Sequence, residues 1–264
     1  GGYVTKWGFA GNTPGMFSHP AAVAVNSTGH VYVADTNNDR IQAFTPDGVF
    51  LLAWNKSGGG SGTGFGEFDE PSGIAVFSWG AVAVSDTRNH RIQLFNPSGV
   101  FYWAVNKSGG GYGSGNGEFL YPRGIAINSS GDIFVADTQN HRIQIISQHA
   151  EYVGEEGFQG IGNGEFFLPV DVAVDGSDNL IIAETGNDRI QKFSSQPMGS
   201  TSKIGVLRSS TYRFYLDYNG NGVWDGSVTD RLYAFGRAPD VPVTGDWDGD
   251  GTTEIGVVRG GHFW

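Results

Sequence analysis

Two short stretches carry oxygen donors at the spacing a hard cation requires. In Asp246-Trp-Asp248-Gly-Asp250-Gly-Thr-Thr-Glu254, side-chain oxygens fall at loop positions 1, 3, 5 and 9. Gly251 permits a sharp turn, and the Thr252 carbonyl supplies position 7. Carboxylates crowded this closely repel one another, and a cation that takes about six to eight oxygens relieves the repulsion. Ca2+ fits that donor set best. The stretch Asp217-Tyr-Asn219-Gly-Asn221-Gly-Val-Trp-Asp225 repeats the spacing, with the Val223 carbonyl at position 7 and amides in place of two carboxylates. Fewer charges predict weaker binding. Neither loop runs into the helix of an EF-hand, so the expected role of the metal is to pin a loop. The competing reading is an Asx-rich turn without metal.

Other chemistry-bearing residues recur, and recurrence argues for structure. The pairs Asp35/Arg40, Asp86/Arg91, Asp137/Arg142 and Glu184/Arg189 repeat at fixed spacing. A catalytic group is needed once, whereas a pair that fastens a turn is needed in every unit. His90 and His141 share one repeat position, where the other two copies carry Asp39 and Asp188; a zinc site needs converging ligands, so these read as loop-capping groups. His19, His30, His149 and His262 are scattered, and no Ser/His/Asp arrangement stands out. The Gly-rich stretches from Asn55, Asn106 and Glu156 lack the lysine and helix of a phosphate loop. No catalytic residue is assigned.

The units that must position these groups are written plainly. HPAAVAV from His19, EPSGIAV from Glu70, YPRGIAI from Tyr121 and LPVDVAV from Leu168 are one theme, with prolines Pro20, Pro71, Pro122 and Pro169 spaced by 51, 51 and 47 residues. ADTNNDRIQAF, SDTRNHRIQLF, ADTQNHRIQII and AETGNDRIQKF follow at the same intervals. Three apolar runs, then a fourth such as VFLLAW, then a Gly-rich loop describe a four-stranded meander. One such sheet cannot bury both faces, but radially arranged sheets can, with Ala and Gly on the crowded innermost strand. The fold class is all-β, a β-propeller. The 43 glycines, 13% aromatic and 16% charged residues agree with short strands and tight turns.

The P-x-G-I-A-V and Y-V-A-D-T-x-N-x-R-I-Q-x-F patterns resemble NHL repeats over about residues 1 to 193. The resemblance implies a propeller, typically six-bladed, that binds proteins or, in some members, RNA; related propellers include lyases and lactonases. KIGVLR from Lys203 and VPVTGDWDGDGTTEIGVVR resemble FG-GAP or VCBS blades over about residues 203 to 264. The expectation is one domain over 1–264, four NHL-like and two FG-GAP-like blades, closed by an outer strand at 3–7. The alternative is a four-bladed ring at 1–193 with 203–264 as a separate module. A third arrangement pairs the 3–7 strand with another molecule, giving head-to-tail self-association.

The Gly-rich loops and the D-T-x-N turns should share one propeller face, a platform for a protein or glycan partner. At the channel mouth the expected residues are Ala21, Ser72, Arg123 and Asp171, one acid where a calcium-dependent propeller hydrolase needs several. With 27 acidic against 16 basic residues and a net charge of −11, nucleic acid is not an expected partner. No stretch approaches the roughly 20 apolar residues of a membrane span, and the opening GGYVTKW does not read as a signal peptide. Cysteine is absent, so no disulfide indicates the compartment. The calcium loops, the low lysine content and the sequons at Asn26, Asn55, Asn106 and Asn128 lean toward an extracellular or cell-surface binding or structural role, as in a surface layer, sheath or filament.

Overall fold

The computed structural model describes residues 2–55 and 58–194 and, between 205 and 263, the backbone of six strands. The chain divides into two compact units, Gly1–Ser195 and Gln196–Trp264.

In the first unit, each sequence copy becomes one antiparallel blade. Blade 1 is β1 (Pro20–Val25), β2 (Val31–Asp35), β3 (Arg40–Phe44) and β4 (Phe50–Trp54), paired in chain order. Blade 2 is β5 (Pro71–Val76), β6 (Val82–Asp86), β7 (Arg91–Phe95) and β8 (Phe101–Val105). Blade 3 is β9 (Pro122–Ile127), β10 (Ile133–Asp137), β11 (Arg142–Ile146) and β12 (Tyr152–Glu156). Blade 4 has three strands, β13 (Pro169–Val174), β14 (Leu180–Glu184) and β15 (Arg189–Phe193). The inner strands β1, β5, β9 and β13 lie side by side, as a radial arrangement requires.

The core lies between blades. Ala34, Ile41 and Trp54 of blade 1 close on Ile74, Val84 and Phe95 of blade 2 and on Phe68 of the connector between them. The same positions recur between blades 2 and 3 and between blades 3 and 4. Each fully buried Ile or Phe contributes about 1.5–3 kcal/mol of transfer free energy. Among the described residues no further blade packs on the outward faces of blades 1 and 4: Val23 is 63% exposed where its counterparts Ile74, Ile125 and Val172 are 6%, 7% and 4% exposed. Ile190 is 65% exposed where Ile41, Ile92 and Ile143 are fully buried.

Two expectations are corrected here. The structure shows four blades, not six. The second unit holds two three-stranded antiparallel sheets, β16 (Gly205–Arg208), β17 (Arg213–Leu216) and β18 (Arg231–Ala234), then β19 (Val241–Gly245), β20 (Glu254–Arg259) and β21 (His262–Phe263). Residues 3–7 form no strand, because a strand needs a ladder partner and β15 remains a sheet edge. The alignment behind that expectation survives: Trp7 meets Phe44 at 6.0 Å as Trp54 meets Phe95 at 6.0 Å. Phe17 and Phe68 likewise each lie 5.5 Å from those same rings. Residues 7–17 thus take, against blade 1, the place that 54–68 take against blade 2.

Candidate functional site: the loop face

A buried carboxylate organises the loop end of every blade. Asp86 Oδ2 accepts hydrogen bonds from Arg91 Nε (2.7 Å), Asn89 Nδ2 (2.9 Å) and Gln93 Nε2 (3.0 Å), while Oδ1 accepts the Asp69 N–H (2.8 Å). The Arg91 guanidinium then donates to the carbonyls of Thr63, Gly64 and Glu67, so one fork holds the Gly-rich connector. Asn89 adds a bond to the Gly62 carbonyl, and Gln93 donates to the Glu67 carbonyl and accepts the Gly66 N–H. Glu67 reaches back to accept the Gly64 N–H at 2.9 Å. The hub repeats with Asp35/Arg40, Asp137/Arg142 and Glu184/Arg189. Burial pushes the Asp86 carboxyl up to about 6, against the pull of Arg91, and raises Asp137 as well.

Sequence reasoning anticipated the Asp–Arg pairs but missed the amides and glutamates. Their partners are main-chain atoms in the connector, 27 residues away for Asn89 and Gly62. The only available signal was their repetition.

Beyond the first three hubs a one-turn 3-10 segment ends on Asp39, His90 or His141, each left-handed with φ of 51°, 53° and 57°. Asp and His tolerate that region better than most residues. The next inner strand is approached through Glu70, Tyr121 and Leu168, also left-handed with φ of 50°, 52° and 52°. These residues precede proline, which disfavours compact conformations, so the turns are strained. The strained residue is held by its neighbour blade: Asp39 Oδ1 accepts the Glu70 N–H at 2.9 Å, His90 Nδ1 that of Tyr121 at 3.0 Å, and His141 Nδ1 that of Leu168 at 3.1 Å. Thr36 and Thr87 cross the same seams to the carbonyls of Pro71 and Pro122.

The turns and connectors therefore do share one face, as the repeats predict. At the seam of blades 2 and 3 the His90 ring meets Tyr121 edge-on at 4.6 Å and Tyr112 at 5.7 Å, with Tyr112 65% exposed. On the same face of blade 2, Arg88 pairs with Glu70 at 3.0 Å. Burial, with Asp39 and Glu70 nearby, pushes the Asp69 carboxyl up.

At the channel mouth Ala21 and Arg123 are exposed, and Ser72 is bonded to Thr87. Asp171 is also exposed, but it departs from the expected row. It pairs opposite Ala183 as Gly73 pairs opposite Ser85, so it matches Gly73, and Val170 is the counterpart of Arg123. Among the described residues no three His, Asp or Glu side chains converge as a metal site. The two Asp-rich loops expected to bind calcium lie elsewhere in the chain. Asp217, Asn219, Asn221, Val223, Asp225, Asp246, Asp248, Asp250 and Thr252 fall outside the described residues, and Glu254 is placed only as the first backbone position of β20.

Radial blades, inter-blade cores and one loop face define a β-propeller. Within it, residues 17–44, 68–95 and 119–146 match the NHL repeat. The matched stretches are the first three copies; the fourth, with Glu184 for Asp, folds alike in its three described strands. The chain is 38% identical to the "Protein brain tumor" of Drosophila melanogaster over 94 residues, which is 35% of this chain and 9% of that protein. It is 30% identical to the human "E3 ubiquitin-protein ligase TRIM32" over 148 residues, 53% of this chain and 21% of that protein. The chain thus spans less than a quarter of either relative. A chain of the nidogen/laminin complex superposes with a TM-score of 0.51 at 15% identity, over 74% of this chain and 73% of that one, a likeness of fold alone.

Proposed function

We propose that this chain is a protein-binding propeller that presents its partner site on the loop face. One observation carries the reading. Across the four copies the hub residues are the same or nearly so, whereas the outward positions differ: Asn37, Arg88, Gln139 and Gly186 in one row, and His19, Glu70, Tyr121 and Leu168 in another. A frame repeated four times, holding side chains that are not repeated, is how a rigid scaffold displays a specific surface. His90, Tyr112 and Tyr121 gather at the seam of blades 2 and 3 and form its centre, with the Arg88–Glu70 pair of blade 2 and Arg123 of blade 3 on the same face.

The test is capture by the immobilised full chain from extract and secreted fractions of the organism that makes it, compared with Arg88→Glu/Tyr121→Ala/Arg123→Glu. The reading expects a partner lost with the triple variant at unchanged melting temperature. Equal capture by both proteins would refute it.

In the same proposal the two Asp-rich loops bind Ca2+ and the protein works outside the cell or on its surface, where millimolar calcium fills weak sites. Head-to-tail self-association through the open side of blade 1 belongs to the same proposal. Sedimentation velocity across a wide concentration range is expected to give a mass that rises with concentration, and a constant monomer would contradict it.

A further inference from the structure

The blade seams are latched by different chemistry, and that difference has a consequence. Seam 1–2 is held by a carboxylate, Asp39, while seams 2–3 and 3–4 are held by imidazoles, His90 and His141, in the same left-handed position. All three accept a main-chain N–H from a residue that the latch keeps in a strained conformation ahead of a proline. An imidazole can accept at Nδ1 only while that nitrogen is unprotonated, with its proton on Nε2. Protonation turns the acceptor into a donor facing another donor. The bond is then lost, and with it the acceptor that holds the main-chain N–H of Tyr121 or Leu168 in its strained conformation.

We propose that His90 and His141 form an acid-operated release of the loop face, loosening seams 2–3 and 3–4 while Asp39 keeps seam 1–2 closed. The surroundings of each ring set the direction. His90 is packed by Tyr121 from the following blade and Tyr112 from the connector, and it faces Asp137 of β10 and Asp69 of the connector, which itself lies near Arg88 and Glu70. His141 faces Phe167 and Asp137. Burial lowers both imidazoles below their ordinary value of 6.5, and the carboxylates only partly oppose it. A histidine lowered in the folded state contributes stability that is complete above its unfolded value. That contribution is lost as pH falls through the depressed one.

The amide protons of Tyr121, Leu168 and Glu70 report the three latches directly. In 15N-labelled full-length protein, hydrogen-exchange protection at Tyr121 and Leu168, referenced to Glu70, is expected to fall about tenfold between pH 7 and pH 5, the value of one hydrogen bond. His90→Asn and His141→Asn, which keep a left-handed-tolerant acceptor, should hold protection constant over that range. Protection at Tyr121 and Leu168 that tracks Glu70 to pH 5 in the parent protein would overturn the proposal. So would an acid loss that persists in both Asn variants. A variant that fails to fold is recognised by loss of protection at Glu70 itself. His90→Asp, which copies the natural Asp39 latch, then replaces it in the comparison.

Discussion

Asp35, Asp86, Asp137 and Glu184 each sit fully or nearly fully buried, a placement that is costly for a carboxylate unless its lone pairs are filled. Here they are filled by an Arg, an Asn, a Gln and a main-chain N–H. Removing one partner leaves a buried charge unmatched, so Arg91→Ala should destabilise the protein by about 3–5 kcal/mol in chemical denaturation. An effect below about 1 kcal/mol would show the pair to be solvated. The hub and the histidine latch respond to pH with opposite sign. Asp86, raised to about 6, contributes stability that is full below its unfolded value and lost as pH rises through 6. Comparing His90→Asn with the parent isolates the imidazole contribution from that background. The Asp–Arg pairing was legible in sequence because it recurs with two fixed partners. The Asn, Gln and Glu contacts were not, because residue spacing does not report a bond to a carbonyl in a distant connector.

At the scale of strands, the inner row shows why small residues line the axis. A Cβ on Gly73 would run into the Arg123 carbonyl, and one on Gly124 into Asp171, so neighbouring inner strands approach too closely for a side chain. Gly73→Ala should therefore lower stability by about 1–3 kcal/mol, whereas Gly176→Ala, with open space and no left-handed requirement, should leave the melting temperature unchanged. The inner-strand glycines were expected from sequence. The place of Asp171 was legible there too, since it stands two residues after Pro169 as Gly73 stands two after Pro71, and all four inner strands carry the same bulge after the proline. The proposed calcium loops make a prediction at this scale too. A chelator should lower the melting temperature of the second unit, and millimolar calcium should restore it. An unchanged melt, with no calcium by elemental analysis, would sink that proposal, and Asp248→Asn should weaken the calcium response several-fold by removing one charged donor.

For the whole molecule, the repeats made the blades readable and left their number unreadable. Each apolar run predicts a strand, but blade count depends on what covers the outward sides of blades 1 and 4, and no internal copy encodes that. Blade 4 sets Lys192 there beside the exposed Ile190: Lys192 stands where Ala43, Leu94 and Ile145 are buried, and it reaches Asp175 at 2.7 Å. Blade 1 keeps Val23 and Val25 exposed. The two sides are therefore unequal, and blade 1 offers the more apolar surface. The central claim concerns the loop face as the place of recognition. A photo-crosslinking residue placed at Tyr121 on that face, and separately at Trp79 in the turn at the opposite end of blade 2, tests it in the organism that makes the protein. The account predicts a defined crosslinked partner from position 121 and none from position 79; the same partner from position 79 alone would contradict it.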